Sequence, residues 1–244
     1  IFENTDSHLY VARDIRAMVP HIPVIAALPR ASRKQLQLPK NRTTSEYLEA
    51  VRMLAAHIQL AGQKSKQRVL VLTGAGSRQG TSLTVANLGS ALAEQGRNVL
   101  IVDGNGRNPS MHRIFQLSNE VGLVDIVSGK VDMKDVIQKT EQENLSLIAL
   151  GSESAEPFSI RDSSTEPLIK LLRQKFDFVL LDAPALSFAD ISSLAQFADE
   201  IIMVARRSHI KRDSLKSAGE FISKFTDKQL GLIINESEVR SFSS

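Results

Sequence analysis

The chain has 244 residues, of which 42% are hydrophobic and 23% are charged, and it contains no cysteine. This balance excludes a wholly disordered chain, and the missing cysteines exclude disulfides, thiolate zinc sites and cysteine nucleophiles. A net charge of +3 is too small to indicate a nucleic-acid partner. No apolar run reaches the roughly 20 residues that a membrane-spanning helix needs. Because the first residue is Ile1 rather than methionine, we expect a fragment of a longer protein.

Positive charge is concentrated toward the N-terminus. Residues 1–68 contain 11 lysines and arginines against 5 aspartates and glutamates, whereas the rest of the chain is mildly acidic. Such a basic leader indicates either an arm near an acidic surface, such as anionic lipid or a neighbouring subunit, or a solvated linker. We divide the chain into a basic arm and linker with a short strand at 1–42, and a larger domain at 43–244.

The predicted elements begin within this arm. Residues 22–28 form a short apolar run closed by Pro29, which predicts an edge strand or an extended arm. Residues 30–42 are polar and basic and predict a linker. Thr43 and Glu46 have the spacing of a capping box, and apolar residues at helical spacing then predict a helix that ends near Gly62.

From Arg68 onward, apolar runs alternate with segments of helical spacing. The runs lie at 69–73, 98–102, 146–150, 178–182, 201–205 and 231–234. Strands buried on both faces form such continuous runs, so the pattern predicts an α/β fold with a doubly wound, mostly parallel sheet and helices on both faces. Gly96 stands where a glycine that ends a helix is expected. Residues 152–166 lack periodicity and predict a loop.

Ligands of such a sheet bind at the carboxyl ends of its strands, and the first strand–helix junction lies at 73–82. Its glycines allow successive backbone N–H groups to turn inward, and the following helix N-terminus adds positive potential. A complete P-loop places a lysine after the last glycine, then a serine or threonine for magnesium. Thr81 and Ser82 hold those positions here. The residues of this junction alone fit an incomplete phosphate loop and a plain glycine-rich turn equally well.

Two further junctions carry aspartates. Asp103 follows the run at 98–102 and precedes Asn105 and Arg107, a composition that suits magnesium and phosphate contacts but also an ordinary turn. Asp182 closes the run at 178–182, in the form of a Walker B strand whose carboxylate binds the magnesium shell. The order of the three junctions is more informative than any one of them.

In this order, the segments resemble the bacterial tyrosine kinases, the cytoplasmic kinase domains of polysaccharide co-polymerases, which are deviant Walker P-loop ATPases. The resemblance covers nearly the whole chain and includes the segments at 22–29, 46–52, 86–88, 103–112, 122–129, 182–184 and 231–235, together with Asp190. It implies a P-loop NTPase-like fold that handles ATP or ADP with magnesium at the cytoplasmic face of the inner membrane.

The resemblance also implies the roles of individual residues. Asp103 and Asp182 would be catalytic, and together with Ser82 they would hold the metal. The residues implied to contact the nucleotide are Gly76, Ser77, Arg78, Gly80, Thr81, Ser82 and Arg107. The implied partners are further copies of the chain through the Glu49/Arg52 helix, the membrane-embedded remainder of the protein, and polysaccharide assembly proteins.

The departures from the family lie in the active site. The family loop reads Pro-Gly-Glu-Gly-Lys followed by Ser or Thr, whereas here Arg78 replaces a glycine and Thr81 replaces the lysine. Losing one preorganised donor to a developing charge lowers the rate by ~10²–10³, and losing a cation should lower it at least as much. The second aspartate of the family's second Walker motif is Asn105. We also expect Arg78 to strain or reshape the loop.

Two other features of the family are altered. The oligomerisation motif Glu-x-x-Arg-x-x-Arg retains Glu49 and Arg52 but has Ala55 at its last position. The family autophosphorylates a C-terminal tyrosine cluster, whereas this chain has only Tyr10 and Tyr47. These changes predict a kinase-like domain of an exopolysaccharide chain-length or export protein, with weak or no kinase activity, reduced or lost nucleotide binding, and a structural or regulatory role.

Two alternatives remain open at this point. The first is an active tyrosine autokinase that uses Arg78 in place of the lysine and phosphorylates Tyr47 or a partner. The second is a positioning ATPase of the septum-site type, which acts on a membrane surface. The sequence itself therefore leaves enzymatic activity undecided.

Overall fold

The structure is a computed structural model that describes residues 12–31, 45–61, 68–151, 165–185, 197–207, 209–223 and 229–237. The helices are α1 Ala12–Met18, α2 Glu46–Ala61, α3 Thr81–Glu94, α4 Met111–Phe115, α5 Leu123–Val127, α6 Met133–Val136, α7 Thr165–Lys175 and α8 Arg212–Ile222. The strands are β1 Val24–Pro29, β2 Arg68–Gly74, β3 Val99–Asp103, β4 Gln138–Lys139, β5 Leu145–Ile148, β6 Phe178–Asp182, β7 Glu200–Arg206 and β8 Gln229–Ser237.

The described strands form one eight-stranded sheet in the order β1-β8-β7-β2-β6-β3-β5-β4. All neighbouring pairs are parallel except β4 and β5, which confirms the predicted mostly parallel sheet. β4 was not predicted, because its two residues are polar and contain no apolar run.

Two apolar layers cover the faces of this sheet. One layer packs α1, α7 and α8 through residues such as Ile15, Leu172 and Leu215. The other packs α2 and α3 through residues such as Leu54 and Leu88. Every residue of β2, β3 and β6 is buried, which explains why these strands are continuous apolar runs.

The predicted edge strand is confirmed, since β1 occupies one end of the sheet and pairs with β8. The predicted linker from residue 32 onward lies outside the described residues, as does Thr43. Ser45 precedes α2 and accepts a hydrogen bond from the Leu48 amide at 3.3 Å, so Ser45 occupies the position predicted for Thr43. The division of the chain at residue 42 stays a prediction.

Helix ends agree with the sequence in two further places and differ in one. Gly96 follows α3 and adopts a positive φ of 80°, as predicted for a glycine that ends a helix. The predicted helix end near Gly62 agrees with the end of α2 at Ala61. By contrast, α7 begins at Thr165, inside the loop predicted for 152–166, while residues 152–164 lie outside the described residues.

Helix α3 lies unusually close to the sheet at Gly89. A Cβ atom at this position would stand 2.7 Å from Ile101 Cδ1 of β3, so a larger residue would require the Ile101 side chain to shift. The small residue thus lets α3 pack closely on β3 and β6. No helix in the described part of the chain is both long and apolar enough to cross a membrane.

A buried ion pair fastens the opposite edge of the sheet. Arg68 at the start of β2 donates to Glu200 Oε2 of β7 at 2.6 Å and to the Ile58 carbonyl of α2 at 2.5 Å. Both charged side chains are about 95% buried, and burial raises the pKa of Glu200 while the Arg68 charge opposes that rise. The pair therefore joins α2 to two neighbouring strands.

Replacing Arg68 with methionine should destabilise the fold strongly. The change leaves Glu200 buried without its cation, and breaking a buried pair in this way costs about 3–5 kcal/mol. Urea unfolding followed by circular dichroism measures the loss. The control is Arg97→Met, because Arg97 is exposed and donates to Gln59 on the surface. A loss below about 1 kcal/mol for Arg68→Met would contradict the role assigned to the pair.

Candidate phosphate and magnesium site

The loop between β2 and α3 lies at the carboxyl edge of the sheet, between the ends of β6 and β7. The Ala75 amide donates to the Val204 carbonyl of β7 at 2.9 Å. Thr73 Oγ1 donates to the Pro184 carbonyl, just after β6, at 2.8 Å. These two bonds place the start of the loop where three strands end together.

Two glycines are required by the shape of this loop. A Cβ on Gly74 would stand 2.6 Å from the Gly76 carbonyl oxygen. Gly80 has a φ of 83°, and a Cβ there would clash with Asn235 Nδ2. Arg78, at the position of a family glycine, also adopts a left-handed conformation, with a φ of 59° and an exposed side chain. This is the strain that the sequence predicted at Arg78.

The loop presents a row of backbone donors. Within the described residues, none of the N–H groups of residues 76–82 donates a hydrogen bond of normal geometry. These amides lie just before and at the N-terminus of α3, where the helix dipole adds positive potential. Consecutive free N–H groups at a helix N-terminus form a site for anions, above all phosphate.

Sequence reasoning missed Gln79, because a glutamine between an arginine and a glycine carries no signal of its own. Its side chain is only 3% exposed. Gln79 Oε1 accepts from the Arg206 amide at 2.6 Å, and Nε2 donates to the Ser77 carbonyl at 3.0 Å. The Gln79 carbonyl accepts from Asn235 Nδ2 at 2.9 Å. The loop is thus tied to the ends of β7 and β8.

The lysine position of the family offers only a short hydroxyl side chain here. Thr81 is the first residue of α3, and its Oγ1 lies 3.0 Å from the place that a Gly74 Cβ would take. The threonine side chain therefore stays against the loop backbone. Ser82 follows it and is half-buried, with its hydroxyl near Asp182.

Asp182 is the most perturbed carboxyl of the site. It ends β6, is fully buried, and neither of its oxygens has a hydrogen-bond partner of normal geometry in the described part of the chain. Burial, with a smaller contribution from the Asp103 charge, raises the pKa of Asp182 to about 8, although the neighbouring Ser82 hydroxyl opposes the rise. A buried carboxyl with no partner is poised to accept a cation.

Asp103 lies beside Asp182 in register at the end of β3 but has a different environment. Its Oδ1 accepts from the Asn105 amide at 3.2 Å, and its Oδ2 accepts from the Ser110 and Met111 amides at 2.9 Å each. Burial raises the pKa of Asp103, whereas these three hydrogen bonds lower it. Asp103 therefore holds the following loop in place.

The other predicted residues of that loop take different positions. Asn105 Oδ1 accepts from the Asn108 amide at 3.3 Å, as in an ordinary polar turn. The Arg107 side chain is exposed. The structure thus brings Ser82, Asp103 and Asp182 together at one edge of the sheet.

The donor set of this edge fits magnesium. Mg²⁺ prefers oxygen ligands and is commonly held by one or two carboxylates together with substrate phosphates. Asp182 and the Ser82 hydroxyl supply such oxygens, and the unpartnered Asp182 oxygens would gain a partner. No cluster of three or more His, Cys, Asp or Glu side chains suited to a metal occurs among the residues that the structure describes. Substrate phosphate oxygens and water would complete the metal shell.

The predicted oligomerisation helix and one tyrosine also have defined positions. Glu49 and Arg52 lie on the exposed face of α2, where Arg52 contacts Glu49 at 3.6 Å and Glu94 of α3 at 3.5 Å. Ala55 lies one turn further along α2 and is fully buried. Tyr47 is 3% exposed, so its hydroxyl could reach a kinase site only if α2 moved away. Tyr10 and residues 238–244 lie outside the described residues, as does Asp190.

Replacing Asp182 with asparagine should change how stability depends on pH. An aspartate in an unfolded chain titrates near 3.9, so between about pH 4 and pH 8 the folded protein holds a proton that the unfolded chain has lost. The free energy of unfolding of the magnesium-free protein should therefore fall as pH rises, by at most about 1.4 kcal/mol per pH unit. The variant should lack the part of this decline that Asp182 contributes, whereas Asp103 and Glu200, whose pKa values are also raised, leave it a smaller decline.

Urea unfolding between about pH 5 and pH 8 measures this difference. The control is Asp132→Asn, because the Asp132 side chain is 77% exposed and should leave the slope unchanged. Equal pH dependence in the wild type and in Asp182→Asn would contradict the assigned environment of Asp182.

Comparison with known proteins agrees with this geometry. The AAA domain family model matches residues 74–234. The tyrosine-protein kinase CpsD of Streptococcus agalactiae serotype III (strain NEM316) is 28% identical over 203 residues, which cover 82% of this chain and 85% of CpsD. The crystal structure of the chimerical protein CapA2B2 superposes with a TM-score of 0.83 at 26% identity, covering 92% of this chain and 98% of that one.

A second group of solved structures shares the fold. The septum site-determining protein MinD of Pyrococcus horikoshii OT3, complexed with Mg-ADP, superposes with a TM-score of 0.60 at 26% identity, covering 69% of this chain and 70% of MinD. The family match spans well over half of the chain. The protein therefore belongs to the AAA domain family, within which it is a bacterial tyrosine-kinase-like domain with altered Walker motifs.

Proposed function

We propose that this protein is the kinase-like domain of a capsule or exopolysaccharide chain-length or export protein, with weak or no kinase activity and a structural or regulatory role. One observation carries the proposal. The loop keeps its row of free amides at 76–82, yet Thr81 stands where the family has its lysine. The parts that hold phosphate are thus retained, whereas a part that accelerates its transfer is missing.

The retained parts support binding of a phosphate-bearing nucleotide such as ADP or ATP. The backbone N–H groups of residues 76–82 would donate to phosphate oxygens, and the N-terminus of α3 adds positive electrostatic potential. Ser82 and Asp182 would hold magnesium, with Asp103 next to them. When bound, the metal would neutralise charge on the phosphate oxygens. The same fold holds Mg-ADP in the archaeal MinD structure.

The altered parts argue against fast phosphoryl transfer. The Thr81 side chain is too short to reach the β- and γ-phosphates as a lysine does, and removing one such donor lowers a rate by ~10²–10³. Arg78 is exposed. Asp103 already accepts three backbone hydrogen bonds, and Asn105 is a neutral amide that cannot accept a proton as a base does. The pKa of Asp182 is raised to about 8, and this carboxyl would release its proton to bind the metal, so it is not free to activate a hydroxyl either.

We place the domain at the cytoplasmic face of the inner membrane, next to the membrane-embedded remainder of the protein or a membrane partner, among polysaccharide assembly proteins. The basic leader at 1–68 supports this placement, because anionic lipid attracts such segments. The names of the relatives support the kinase-like assignment. We further propose that copies of the chain associate through the Glu49/Arg52 face of α2, which is exposed.

Restoring the lysine should strengthen nucleotide binding. Isothermal titration calorimetry with ATP and magnesium should show weak binding by the wild type, and Thr81→Lys should tighten it about 10-fold or more, because hydrogen bonds to charged groups contribute about 1.5–3 kcal/mol. Mass spectrometry should detect no phosphotyrosine after incubation of the wild type with ATP.

Two outcomes would change this assignment. Tight binding together with phosphotyrosine that disappears in Arg78→Ala would establish the active autokinase instead. Nucleotide-dependent dimers that bind vesicles, again without phosphotyrosine, would favour the positioning ATPase. Arg113→Ala is a matched control for Arg78→Ala, since Arg113 is also exposed and its side chain donates to the Pro109 carbonyl of its own segment.

Reversing the charge of Arg52 should weaken self-association. Arg52→Glu places a third acidic group beside Glu49 and Glu94 and removes the cation that the predicted contact uses. Light scattering coupled to gel filtration should show a lower mean mass for this variant than for the wild type at equal concentration. Lys134→Glu, on the exposed short helix α6, serves as the control. An unchanged mass would show that this face does not join subunits.

A further inference from the structure

Gln79 is the buried polar residue between β2 and α3, and it makes two hydrogen bonds through its side chain and one through its backbone carbonyl. Its amide oxygen accepts from the Arg206 amide at the end of β7, and its amide nitrogen donates across the loop to the Ser77 carbonyl. Its own carbonyl accepts from Asn235 at the end of β8. These hydrogen bonds join the loop to itself and to the ends of β7 and β8, so the residue holds the loop in shape.

The chemistry of these bonds requires an amide rather than a carboxylate. The Ser77 carbonyl needs a donor at 3.0 Å, and a carboxylate has none to offer. A glutamate would keep the bond from the Arg206 amide but would face the Ser77 oxygen with a second oxygen. It would also bury a negative charge, at a position 3% exposed, beside the amides that are free to bind an anion.

The family pattern has glutamate at this position and lysine two residues later, whereas this chain has Gln79 and Thr81. One negative and one positive charge are therefore absent together at positions 79 and 81, while Arg78 adds a positive charge on an exposed side chain. A carboxylate at position 79 without a lysine at position 81 would be buried without a cation, which is costly. Replacing the glutamate together with the lysine therefore avoids a buried charge that replacing the lysine alone would leave unpaired.

We propose that Gln79 is a positioning residue that holds the phosphate loop in its anion-binding shape without the lysine, and that Gln79 and Thr81 form a charge-neutral pair that substitutes for the glutamate–lysine pair of the family. The loop then binds phosphate groups through backbone amides alone. The identity of the ligand, a di- or triphosphate, rests on the proposed function. The role of Gln79 in holding the loop does not.

The first test uses the ligand-free protein. Amide hydrogen exchange measured by NMR should show the Arg206 amide exchanging at least 10-fold faster in Gln79→Ala, because that amide loses its acceptor. Gln79→Glu retains an acceptor and should keep most of the protection. Unchanged exchange at Arg206 in Gln79→Ala would overturn the positioning role, whether or not the protein binds nucleotide.

The second test is a double-mutant cycle followed by thermal unfolding. Gln79→Glu should lower the Tm by about 4 °C or more, and adding Thr81→Lys should restore at least half of that loss. Gln174→Glu makes the same chemical change on the exposed surface of α7 and should shift the Tm by less than about 1 °C. Additive effects of the two loop changes would overturn the paired replacement.

The third test uses inorganic pyrophosphate, without magnesium, in calorimetric titrations. Gln79→Glu should weaken binding about 10-fold or more, and Thr81→Lys should strengthen it more when combined with Gln79→Glu than in the wild type. Equal affinity of the wild type and Gln79→Glu would overturn the inference. If the wild type itself binds no pyrophosphate, the proposed function fails in its ligand, while exchange at Arg206 and the thermal cycle still decide the role of Gln79.

Discussion

The parallel pairing of β2 with β6 and β7 is the constraint on which the site depends. Leu72 pairs with Asp182 and Gly74 pairs with Val204, so the end of β2 lies between the ends of its two neighbours. Pairing of β3 with β6 then sets Asp103 beside Asp182. A shift of any one strand would separate the loop from the carboxylates, and the fully buried faces of these strands make such a shift unfavourable.

Asp103 and Asp182 have identical side chains, but their surroundings give them different hydrogen bonds and different roles. Asp103 meets three backbone donors and becomes part of the loop that follows it. Asp182 meets none of comparable geometry, and its pKa rises to about 8. A proton therefore occupies the place that a metal would take, and metal binding at neutral pH must release it. Phosphate binding by the loop amides and metal binding by Asp182 thus respond differently to pH.

The sheet could be predicted from the sequence because its central strands are buried on both faces and therefore appear as uninterrupted apolar runs. The positions of Asp103 and Asp182 followed from the same runs. The role of Gln79 could not be predicted, since its partners lie on β7 and β8, more than a hundred residues away along the chain. The different hydrogen bonding of Asp103 and Asp182 could not be predicted either, because it depends on which backbone amides turn toward each carboxylate. The two polar residues of β4 likewise acquire their structure only by pairing with β5.

The burial of Ala55 has a consequence for how this protein can evolve. The residue is fully buried in the apolar layer that also contains Leu54 and Leu88. A single substitution that introduced the family arginine would place an unpaired charge in the core and destabilise the fold before it could provide any function. A single substitution at position 55 would therefore not restore the family's oligomerisation motif. Its restoration would first require α2 to shift in its packing on the sheet.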